Sequence, residues 1–495
     1  MIVQDKNFSL PRLAFSFPVM LTVLLLGVVW ALSSGRVNDA DLWWHLRNAE
    51  YLVQTHHLPN HDTYSFTVAG QEWMNHEWLA ELPFYAAWRM SGLIGIAVLR
   101  LILVESIFLF LLYLCTRSSG NIKASILACG FCAFLGSINF GPRMILFGYL
   151  YMVLELVILE RFRVTGGRVL WLLPPLFCLW VNTHGSWLFG LILLGVVAAA
   201  GFVEGSWGRV ESFRWTTQQL RRVIAAGLAS VAALFVNPFG WKLVLYPILF
   251  GSKLKIPIAS VTEWSSVDFH DARGTLAMVV VIELLLAALV RDRRWLLAEI
   301  GCLLFALYCG LTYARFLFFL AIILAPLLAK LLDFVPRYEP ELDKPILNVM
   351  LVVIFVAGVV HSFPLLSETA LQSEVTREYP AQILPYLRAH PPTAPVLNDF
   401  LWCGYLIFHE PNLKVFIDSR VDIFEDAGVF RDYLDLVQLK NPQSLLDKYG
   451  IRYVLFPPAE QLTHILERDP RWKVNYRDSV SVLFERVIFG QSQGI

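Results

Sequence analysis

Long apolar runs separated by short polar connections dominate the sequence. A helix needs about 20 mostly apolar residues to cross a hydrocarbon core of roughly 30 Å. Eleven stretches approach that length, and the fifth and sixth are closely joined at 182–186. The predicted spans are 13–34, 93–116, 123–140, 144–162, 169–184, 186–204, 221–237, 273–290, 295–314, 316–334 and 346–364.

Composition supports a membrane protein. The 495 residues are 57% hydrophobic and 16% charged, whereas soluble domains carry about 25% charged residues. The formal net charge is zero, which argues against nucleic acid as a partner.

Basic residues fall in every second connection, and this asymmetry predicts the orientation. With the N-terminus inside, an odd number of spans places the first loop (35–92), the later loop (238–272) and the C-terminal region outside. The residues assigned to the inner face are Arg117, Lys123, Arg161, Arg163, Arg168, Arg209, Arg214, Arg221, Arg222, Arg291, Arg293, Arg294, Lys330, Arg337 and Lys344.

After residue 364 the pattern changes. Short apolar runs such as PVLND, KVFIDS and IRYVLF alternate with helical patterns, which predicts a soluble α/β domain with a small central sheet. The predicted fold is therefore a polytopic α-helical membrane domain over 1–364, with about eleven spans, an inner N-terminus and an outer C-terminus. An extracytoplasmic α/β domain follows over 365–495.

The first outer loop concentrates residues that can bind metals or transfer protons. It holds five of the eleven histidines together with seven carboxylates, in a chain that is otherwise mostly apolar. This density indicates an active site rather than a passive connection. The residues are His45, His56, His57, His61, His76, Asp39, Asp41, Glu50, Asp62, Glu72, Glu77 and Glu81.

Asp39 and Asp41 open a predicted helix in this loop. One aspartate can cap the helix N-terminus, and the other then needs a different explanation. Asp41 and His45 are four residues apart and share a helix face, where they could hold a divalent metal or position a proton. His76 and Glu77 are adjacent and diverge on a helix, so they either support the site or form a cap and a surface group.

The later outer loop places Glu263 beside Trp264. An acid next to a large aromatic side chain can have a raised pKa or can hold a substrate. Lys253, Lys255 and Arg273 lie nearby in the sequence, and basic groups suit phosphate binding. The alternative for these cations is contact with anionic lipid headgroups.

Three further polar residues lie at predicted outer ends of spans: Arg143, Arg315 and His184. Extension of such side chains toward lipid headgroups is their default role. Glu105 and Glu283 fall near the middle of spans, where an acid is functional by default. A neutral glutamic acid that is hydrogen-bonded between helices is the alternative.

This layout resembles the GT-C superfamily of membrane glycosyltransferases, which use polyprenyl-linked sugar donors. The superfamily includes the oligosaccharyltransferase catalytic subunit, protein O-mannosyltransferases and aminoarabinose transferases. Its acidic motif in the first outer loop is matched by Asp39-Ala40-Asp41, and 260–263 (SVTE) fits the SVxE motif of the oligosaccharyltransferase branch. Arg315 or Arg143 matches the arginine near the lipid phosphates.

The outer domain departs from that branch at its WWDYG motif. The sequence LWCGY over 401–405 keeps Trp402, Gly404 and Tyr405 but lacks the aspartate, which counts against sequon-directed asparagine glycosylation. The chain also resembles uncharacterised bacterial GT-C-like proteins, whose outer domains contain stretches resembling KVFIDSRVDIF.

The resemblance implies transfer of a sugar from a polyprenyl phosphate or diphosphate to an acceptor at the outer face. The acceptor class (glycan, lipid or protein) stays open. Asp39 or Asp41 would be the general base or a metal ligand, with Glu263 as a further catalytic acid. Mg²⁺ or Mn²⁺, for which Asp41 and His45 are the candidate ligands, would help to neutralise the leaving phosphate.

The phosphate would lie near a group of basic side chains, with other polar residues supporting the site. The phosphate group comprises Arg143, Lys253, Lys255, Arg273 and Arg315. The supporting residues are His45, His76, Glu77, His184, Trp402, Tyr405 and Arg420.

Trp402, Tyr405 and Arg420 follow the strand-like PVLND and KVFID segments, and ligands gather at the carboxyl ends of strands. They are therefore predicted to position the acceptor. The alternative is that Asp418, Arg420 and Asp422 form a local salt-bridged turn.

Two other classes remain open. A proton-coupled secondary transporter would use Glu105 and Glu283 as a relay, although the sequence lacks the paired repeats that are common in transporters. A non-catalytic GT-C-like scaffold would need none of the outer acids. The only N-x-S/T sequence is at Asn7, on the predicted inner side, which favours a bacterial inner membrane and a multi-pass protein in contact with its lipids.

Overall fold

The structure is a computed structural model that describes residues 15–34, 39–253, 262–290, 294–362 and 367–487. The chain separates into two compact units. The first comprises Met1–Gly35, Val98–Val244 and Thr262–Leu365, and the second comprises Arg36–Ala97, Leu245–Val261 and Leu366–Ile495. Each unit is described by itself.

Apolar helices build the first unit. A small sheet with the order β1-β2-β3 joins two of its connections. The elements are α1 (Phe17–Ser33), the second part of α3 (Trp78–Ser119), α4 (Ile122–Gly136), α5 (Ile145–Thr165), α6 (Leu173–Thr183), α7 (Trp187–Phe202), β1 (Gly205–Trp207), β2 (Val210–Ser212), α8 (Thr217–Ala233), the start of α9 (Trp241–Lys253), α10 (Ala272–Val290), β3 (Trp295–Leu296), α11 (Leu297–Thr312), α12 (Leu317–Leu331) and α13 (Pro345–Ser362).

The core of the first unit forms where α12 packs against α4. Phe318 on α12 is fully buried, with its ring centroid 5.9 Å from that of Phe108 and 5.2 Å from that of Phe140. Gly136 faces Phe318, because a methyl group there would collide with the phenyl ring. Close approach of the two helices therefore depends on a large side chain opposite a small one.

Each of the eleven apolar runs coincides with a helix. Within the described residues, three helices are long and apolar enough to cross a membrane: Trp78–Ser119, Ile122–Asn139 and Ala314–Leu331. The chain is thus mostly helical with candidate membrane spans, while the number of eleven spans and their orientation stay predictions.

The two mid-span acids differ in their surroundings. Oε2 of Glu105 is buried and has no hydrogen-bond partner in the described part of the chain. Glu283 is exposed along a cavity of about 630 Å³ whose other lining residues are apolar. The neutral, helix-to-helix hydrogen bond that was the alternative for Glu105 does not form at Oε2.

The second unit combines the first loop with the C-terminal region. Its sheet has the order β4-β5-β7-β6, with β4 parallel to β5 and the other neighbours antiparallel. The elements are α2 (Ala40–Thr55), the first part of α3, the end of α9, α14 (Glu368–Glu378), α15 (Leu384–Ala389), β4 (Val396–Asn398), α16 (Cys403–His409), α17 (Val421–Asp426), α18 (Val429–Val437), α19 (Pro442–Lys448), β5 (Tyr453–Phe456), α20 (Gln461–Arg468), β6 (Trp472–Arg477) and β7 (Val482–Arg486).

Helix α3 changes direction where the sequence placed the end of the first loop. Ser91 and Gly92 have non-helical backbone angles, and Gly92 has φ +57°. That left-handed conformation favours glycine, which lacks a Cβ. A single hydrophobic run is thereby divided into a short helix of the second unit and a longer apolar helix.

The small sheet confirms the predicted α/β character of the C-terminal region, with two differences. The KVFID segment was expected to be a strand, and this was wrong. Val415 makes one isolated bridge with Ser65, and the backbone N–H of Phe416 donates to Asn398 Oδ1 at 2.7 Å. A side chain and a loop thus take the hydrogen bonds that a neighbouring strand would supply.

The second difference is in the grouping of segments. The sequence assigned the first loop to the membrane domain, whereas the structure places 36–97 and 245–261 in one compact unit with 366–495. Contacts within this unit between residues far apart in sequence produce this grouping, and periodicity does not reveal such contacts.

Packing of α16 on α2 fixes the first loop within the second unit. Trp43 is 1% exposed, and its ring lies edge-on to Tyr405 at 5.1 Å and to Tyr379 at 5.9 Å between centroids. A Cβ on Gly404 would collide with the carbonyl oxygen of Ala40. Glycine is therefore required where the two helix backbones meet, which explains the glycine of the LWCGY sequence.

Candidate functional site

Asp39 and Asp41 have different roles at the start of α2. Asp39 is buried, and its Oδ1 accepts from the backbone N–H of Asp41 at 3.0 Å, so Asp39 caps the helix. Asp41 is only partly buried. The indole N–H of Trp44 lies 2.9 Å from Ser419 Oγ and 3.4 Å from Asp41 Oδ1. Asp41 is thus the aspartate whose carboxylate is not used for capping.

His45 lies between two glutamates that begin α3. Its Nδ1 is 2.8 Å from Glu81 Oε1 and its Nε2 is 3.2 Å from Glu77 Oε2. Glu81 is fully buried and also accepts from Asn48 at 3.1 Å and Asn75 at 2.8 Å. We call these five side chains the His45 network; together they fix the Glu77 carboxylate in position.

The charge of this network follows from its geometry. Burial alone would lower the pKa of His45, but the hydrogen bonds and charges of Glu77 and Glu81 raise it to about 10. A doubly protonated imidazole donates from both nitrogens, which matches a ring held between two carboxylates. At neutral pH His45 is therefore a cation between two acids.

His76 and Asp422 extend the polar region beyond Glu77. His76 Nε2 is 3.8 Å from Glu77 Oε1, and the His76 ring lies 4.4 Å from that of Tyr246 between centroids. The Tyr246 hydroxyl donates to Asp422 Oδ2 at 3.1 Å. Burial raises the pKa of Asp422 above its usual range, against the opposing effects of His76 and Tyr246. Three separate segments of the sequence therefore contribute titratable groups to this part of the unit.

Arg420 is buried in a structural ion pair and is not exposed to bind a ligand. Its side chain is 2% exposed and binds Asp418 through Nε at 2.9 Å and through a terminal nitrogen at 2.6 Å, with a further bond to Asp62. Burial alone would lower the pKa of Arg420, but the two carboxylates hold it well above its usual range. This geometry supports the Asp418–Arg420 part of the salt-bridged turn and extends it to Asp62 in the first loop, whereas Asp422 accepts from Tyr246.

Trp402 and Tyr405 are also buried. Trp402 is 4% exposed and its indole N–H donates to the carbonyl of Glu378 at 3.0 Å, while Tyr405 packs on Trp43. Both rings are used in the packing around α16, and their contact with an acceptor stays a prediction.

In the first unit, Glu263 pairs with Arg143. Two parallel bonds of 2.6 and 3.0 Å join the guanidinium to the carboxylate. Burial alone would raise the pKa of Glu263, but Arg143 and Arg315 hold it below its usual range. The raised pKa considered from the sequence is thus wrong, because the acid has a cationic partner 120 residues away in the sequence.

Arg315 contacts the ring of Trp264, the aromatic side chain that was expected to affect Glu263. Its guanidinium carbon lies 4.1 Å from the centroid of the Trp264 ring, within the range of a cation–π contact. Arg143, Glu263 and Arg315 therefore form one group in the first unit, which we call the Arg143 cluster.

The other predicted phosphate ligands lie elsewhere or outside the described residues. Arg273 is 3.3 Å from Ser137 Oγ and lies over Phe134, and His184 Nδ1 accepts from the backbone of Ser186 at 2.9 Å. Lys253 ends α9, but its side chain is outside the described part of the structure, as are Lys255 and residues 260–261.

The residues do not fit the proposed metal site. Both nitrogens of His45 face carboxylates, so neither offers a lone pair to an ion shared with Asp41. Among the described residues, no group of three or more His, Cys, Asp or Glu side chains is arranged to hold a metal. Asp41 and His45 are therefore better described as a carboxylate and a charged positioning group.

Sequence reasoning counted Glu81 among the loop carboxylates but gave no specific role to Glu81, Asn48 or Tyr246. A signal existed for the first, since Glu77 and Glu81 are four residues apart and share a helix face. Tyr246 had no local signal, because only the tertiary fold brings it to Asp422.

Comparisons with known proteins give a coarse picture. No family model matches the sequence, and no curated protein matches it. The crystal structure of the Archaeoglobus fulgidus oligosaccharyltransferase in the apo form is similar at 12% sequence identity and a TM-score of 0.49, covering 88% of this chain and 69% of that chain. A likeness of this size transfers neither an activity nor the role of any residue.

Proposed function

We propose that the protein is a membrane glycosyltransferase that moves a sugar from a polyprenyl phosphate or diphosphate to an acceptor at the outer face. The observation that carries the proposal is a partly exposed carboxylate, Asp41, one helical turn before His45 on α2, where His45 is held between Glu77 and Glu81. A buried network that holds acids in fixed positions without ending at a metal is suited to proton transfer.

Asp41 is the general base in this proposal. The acceptor hydroxyl oxygen attacks the anomeric carbon, its proton passes to the Asp41 carboxylate, and the bond from carbon to phosphate oxygen breaks. The leaving phosphate retains the electron pair of that bond. Asp39 caps α2 and so sets the direction of Asp41 without contacting substrate.

Glu77 is the second carboxylate of the proposed site. His45 Nε2 holds one of its oxygens at 3.2 Å, Glu81 holds the other nitrogen of the imidazole, and the Glu77 side chain is 12% exposed. A cationic His45 stabilises the ionised form of Glu77, which suits a group that orients the hydroxyls of the sugar or acceptor. No step of the proposal passes through a metal ion.

The Arg143 cluster supplies the proposed binding groups for the phosphate. Arginine matches phosphate geometry with two parallel hydrogen bonds, and Glu263 already holds Arg143 in that two-point arrangement. Donor phosphate would replace or share the contact with Glu263, which makes Glu263 a group that orients Arg143 rather than the catalytic acid.

The test compares Asp41→Asn with Asp435→Asn in cells that lack the native gene. Asp435 on α18 has a side chain that is 34% exposed and pairs with Lys440 at 3.3 Å, so its variant controls for the chemical change. Polyprenyl-linked sugars are extracted and quantified by mass spectrometry.

We expect unused donor to accumulate in the gene-deleted and Asp41→Asn cells and to return to normal with the wild type and Asp435→Asn. Normal donor pools with a well-folded Asp41→Asn protein would remove Asp41 from the mechanism. Unchanged pools of polyprenyl-linked sugar in the gene-deleted cells would reject the proposal that the protein is a transferase.

The transporter is the second candidate, supported by Glu283 on its 630 Å³ cavity. Proteoliposomes loaded with a pH-sensitive dye decide between the two. Substrate-dependent proton movement that is lost in Glu283→Gln and kept in Asp41→Asn would favour transport.

A further inference from the structure

One corner of the first unit combines exposed aromatic rings with unpaired arginines. Its polypeptide consists of a short turn of 3-10 helix (Arg168–Leu172), the β1–β2 hairpin and the segment that leads into α8. The corner residues are Trp171, Trp207, Phe213, Arg168, Arg214 and Arg221. We call this surface the basic-aromatic corner.

Packing holds the three segments together. The 3-10 turn contacts both α5 and α8, and Arg222 donates to the carbonyl oxygen of Gly166. Trp215 lies edge-on to Phe162 at 5.3 Å between centroids, and its backbone N–H donates to Gly201 at 2.9 Å. The exposed residues are thus displayed on a built surface.

The aromatic side chains are unusually exposed. Trp171 is 51% exposed, Trp207 53% and Phe213 64%. Tryptophan is enriched at membrane–water boundaries, where the ring contacts apolar chains and its N–H stays in polar surroundings. Exposed rings next to apolar helices therefore fit a position at the headgroup level.

The charge of the corner is positive. Arg168, Arg214 and Arg221 are exposed, and none forms an ion pair with another described residue. Of the nearby acids, Glu204 is exposed and Glu211 is already paired with Arg294. The surplus of guanidinium groups is complementary to phosphate, and arginine binds phosphate through planar, paired donors.

We infer that the basic-aromatic corner binds an anionic phospholipid, with the arginines on its phosphate and the aromatic rings against its acyl chains. The positive charge distinguishes anionic from zwitterionic lipids, and the rings distinguish a lipid from free phosphate. The inference is independent of the proposed glycosyl transfer, and a failure of either leaves the other standing.

The expected affinity change follows from the charge. Each basic residue near an anionic lipid surface contributes about 1 kcal/mol, or roughly fivefold. Replacement of all three arginines by glutamine should weaken binding on the order of 100-fold. A triple lysine variant keeps the charge and should retain most of the binding.

The matched control removes three exposed cations of the second unit. Arg431→Gln, Arg468→Gln and Lys473→Gln change the net charge by the same amount, and none of these side chains pairs with another described residue. The control variant should bind lipid like the wild type.

The experiment uses the purified full chain in an uncharged detergent. Short-chain phosphatidylglycerol, phosphatidylcholine of the same chain length and inorganic phosphate are added separately. Thermal unfolding and native mass spectrometry report binding, because a ligand that binds the folded state raises the unfolding temperature.

Phosphatidylglycerol should stabilise and remain attached to the wild type, the control and the lysine variant, but not the glutamine variant. Equal stabilisation by phosphatidylcholine would overturn the anionic preference. An equal effect of inorganic phosphate would show a free-anion site instead of a lipid site. Full binding by a folded glutamine variant would reject the basic-aromatic corner as the lipid site. If the glutamine variant does not fold, the lysine variant, which keeps the positive charge, serves as the test.

Discussion

The His45 network and the Arg143 cluster both combine acids with cations, but the His45 network is mostly buried and the Arg143 cluster is partly exposed. In the second unit, Glu81 and His45 are nearly inaccessible and Glu77 is partly exposed. In the first unit, Arg143 and Glu263 are each about one-third exposed, at 33% and 37%. A buried network fixes an acid in position, whereas an exposed pair can exchange one partner for a ligand.

This difference separates two tasks. Orientation of the sugar or acceptor hydroxyls needs a carboxylate held in one place, and the buried side of the His45 network provides that constraint for Glu77. Phosphate binding needs a cation that becomes available when the ligand arrives, and an exposed ion pair contributes little to stability. Mutations in the His45 network should therefore have large effects on the stability of the fold, and mutations in the Arg143 cluster should have small effects.

The largest effect is expected from Glu81→Ala. Removal of this carboxylate leaves His45, Asn48 and Asn75 buried without their shared acceptor. Loss of one partner of a buried charged pair costs about 3–5 kcal/mol. Thermal unfolding of the purified protein should show a large fall in midpoint, while Glu374→Ala on the exposed surface of α14 should have almost none. Equal midpoints would mean that the network does not support the fold.

Arg420→Ala should destabilise the protein to a similar or slightly smaller extent. Asp62 and Asp418 would remain buried without their cation, at a cost of about 3–5 kcal/mol less any relief from water entry. Unfolding and acceptor affinity are measured on the same preparation. An unchanged midpoint with weakened acceptor binding would restore the predicted positioning role of Arg420.

Gly404→Ala should have an intermediate effect. The added methyl group would collide with the backbone of α2, and overpacking costs about 1–3 kcal/mol. Gly358→Ala is the matched control, since nothing lies within 4 Å of a Cβ at that helical position. The control should be neutral or slightly stabilising, and a stable Gly404→Ala protein would show that α16 can move away from α2 at little cost.

A smaller effect is expected in the pH dependence of stability. His45 has a folded-state pKa of about 10, compared with about 6.5 in an unfolded chain. Its stabilising contribution is complete below about pH 6.5 and is lost as the pH rises toward 10. His45→Gln should lower stability at neutral pH and flatten the decline between these values, and a parallel decline in both proteins would place the titrating group elsewhere.

Arg143→Gln should change stability least. The pair is partly exposed, so its loss costs only about 0–1 kcal/mol. Because the pKa of Glu263 is held below its usual range, the contribution exists above that range and disappears as the pH falls through the folded-state pKa. Binding of a polyprenyl phosphate analogue, measured by its protection against unfolding, should weaken far more than stability does. Unchanged protection would remove Arg143 from the proposed donor site.

Local sequence was sufficient for the apolar helices and for the capping role of one of the two aspartates, but not for the KVFID segment. The eleven apolar runs coincide with helices because the tendency of such a run to form a buried helix depends mainly on its own composition. The N-cap at Asp39 was predictable, since a short acidic side chain before an apolar run accepts backbone N–H groups. The sequence placed the end of the polar loop at Gly92, and the structure has a helix kink at that point.

Only tertiary structure decided the partners of the polar residues. His45 meets Glu81 across 36 residues, Arg143 meets Glu263 across 120, and Arg420 meets Asp62 across 358. The pKa of each group depends on these neighbours and on burial rather than on its own type. For this reason the sequence located the acid-rich loop but could not name the partners of Glu263, His45 and Arg420, whose chemistry is set by groups brought together in space.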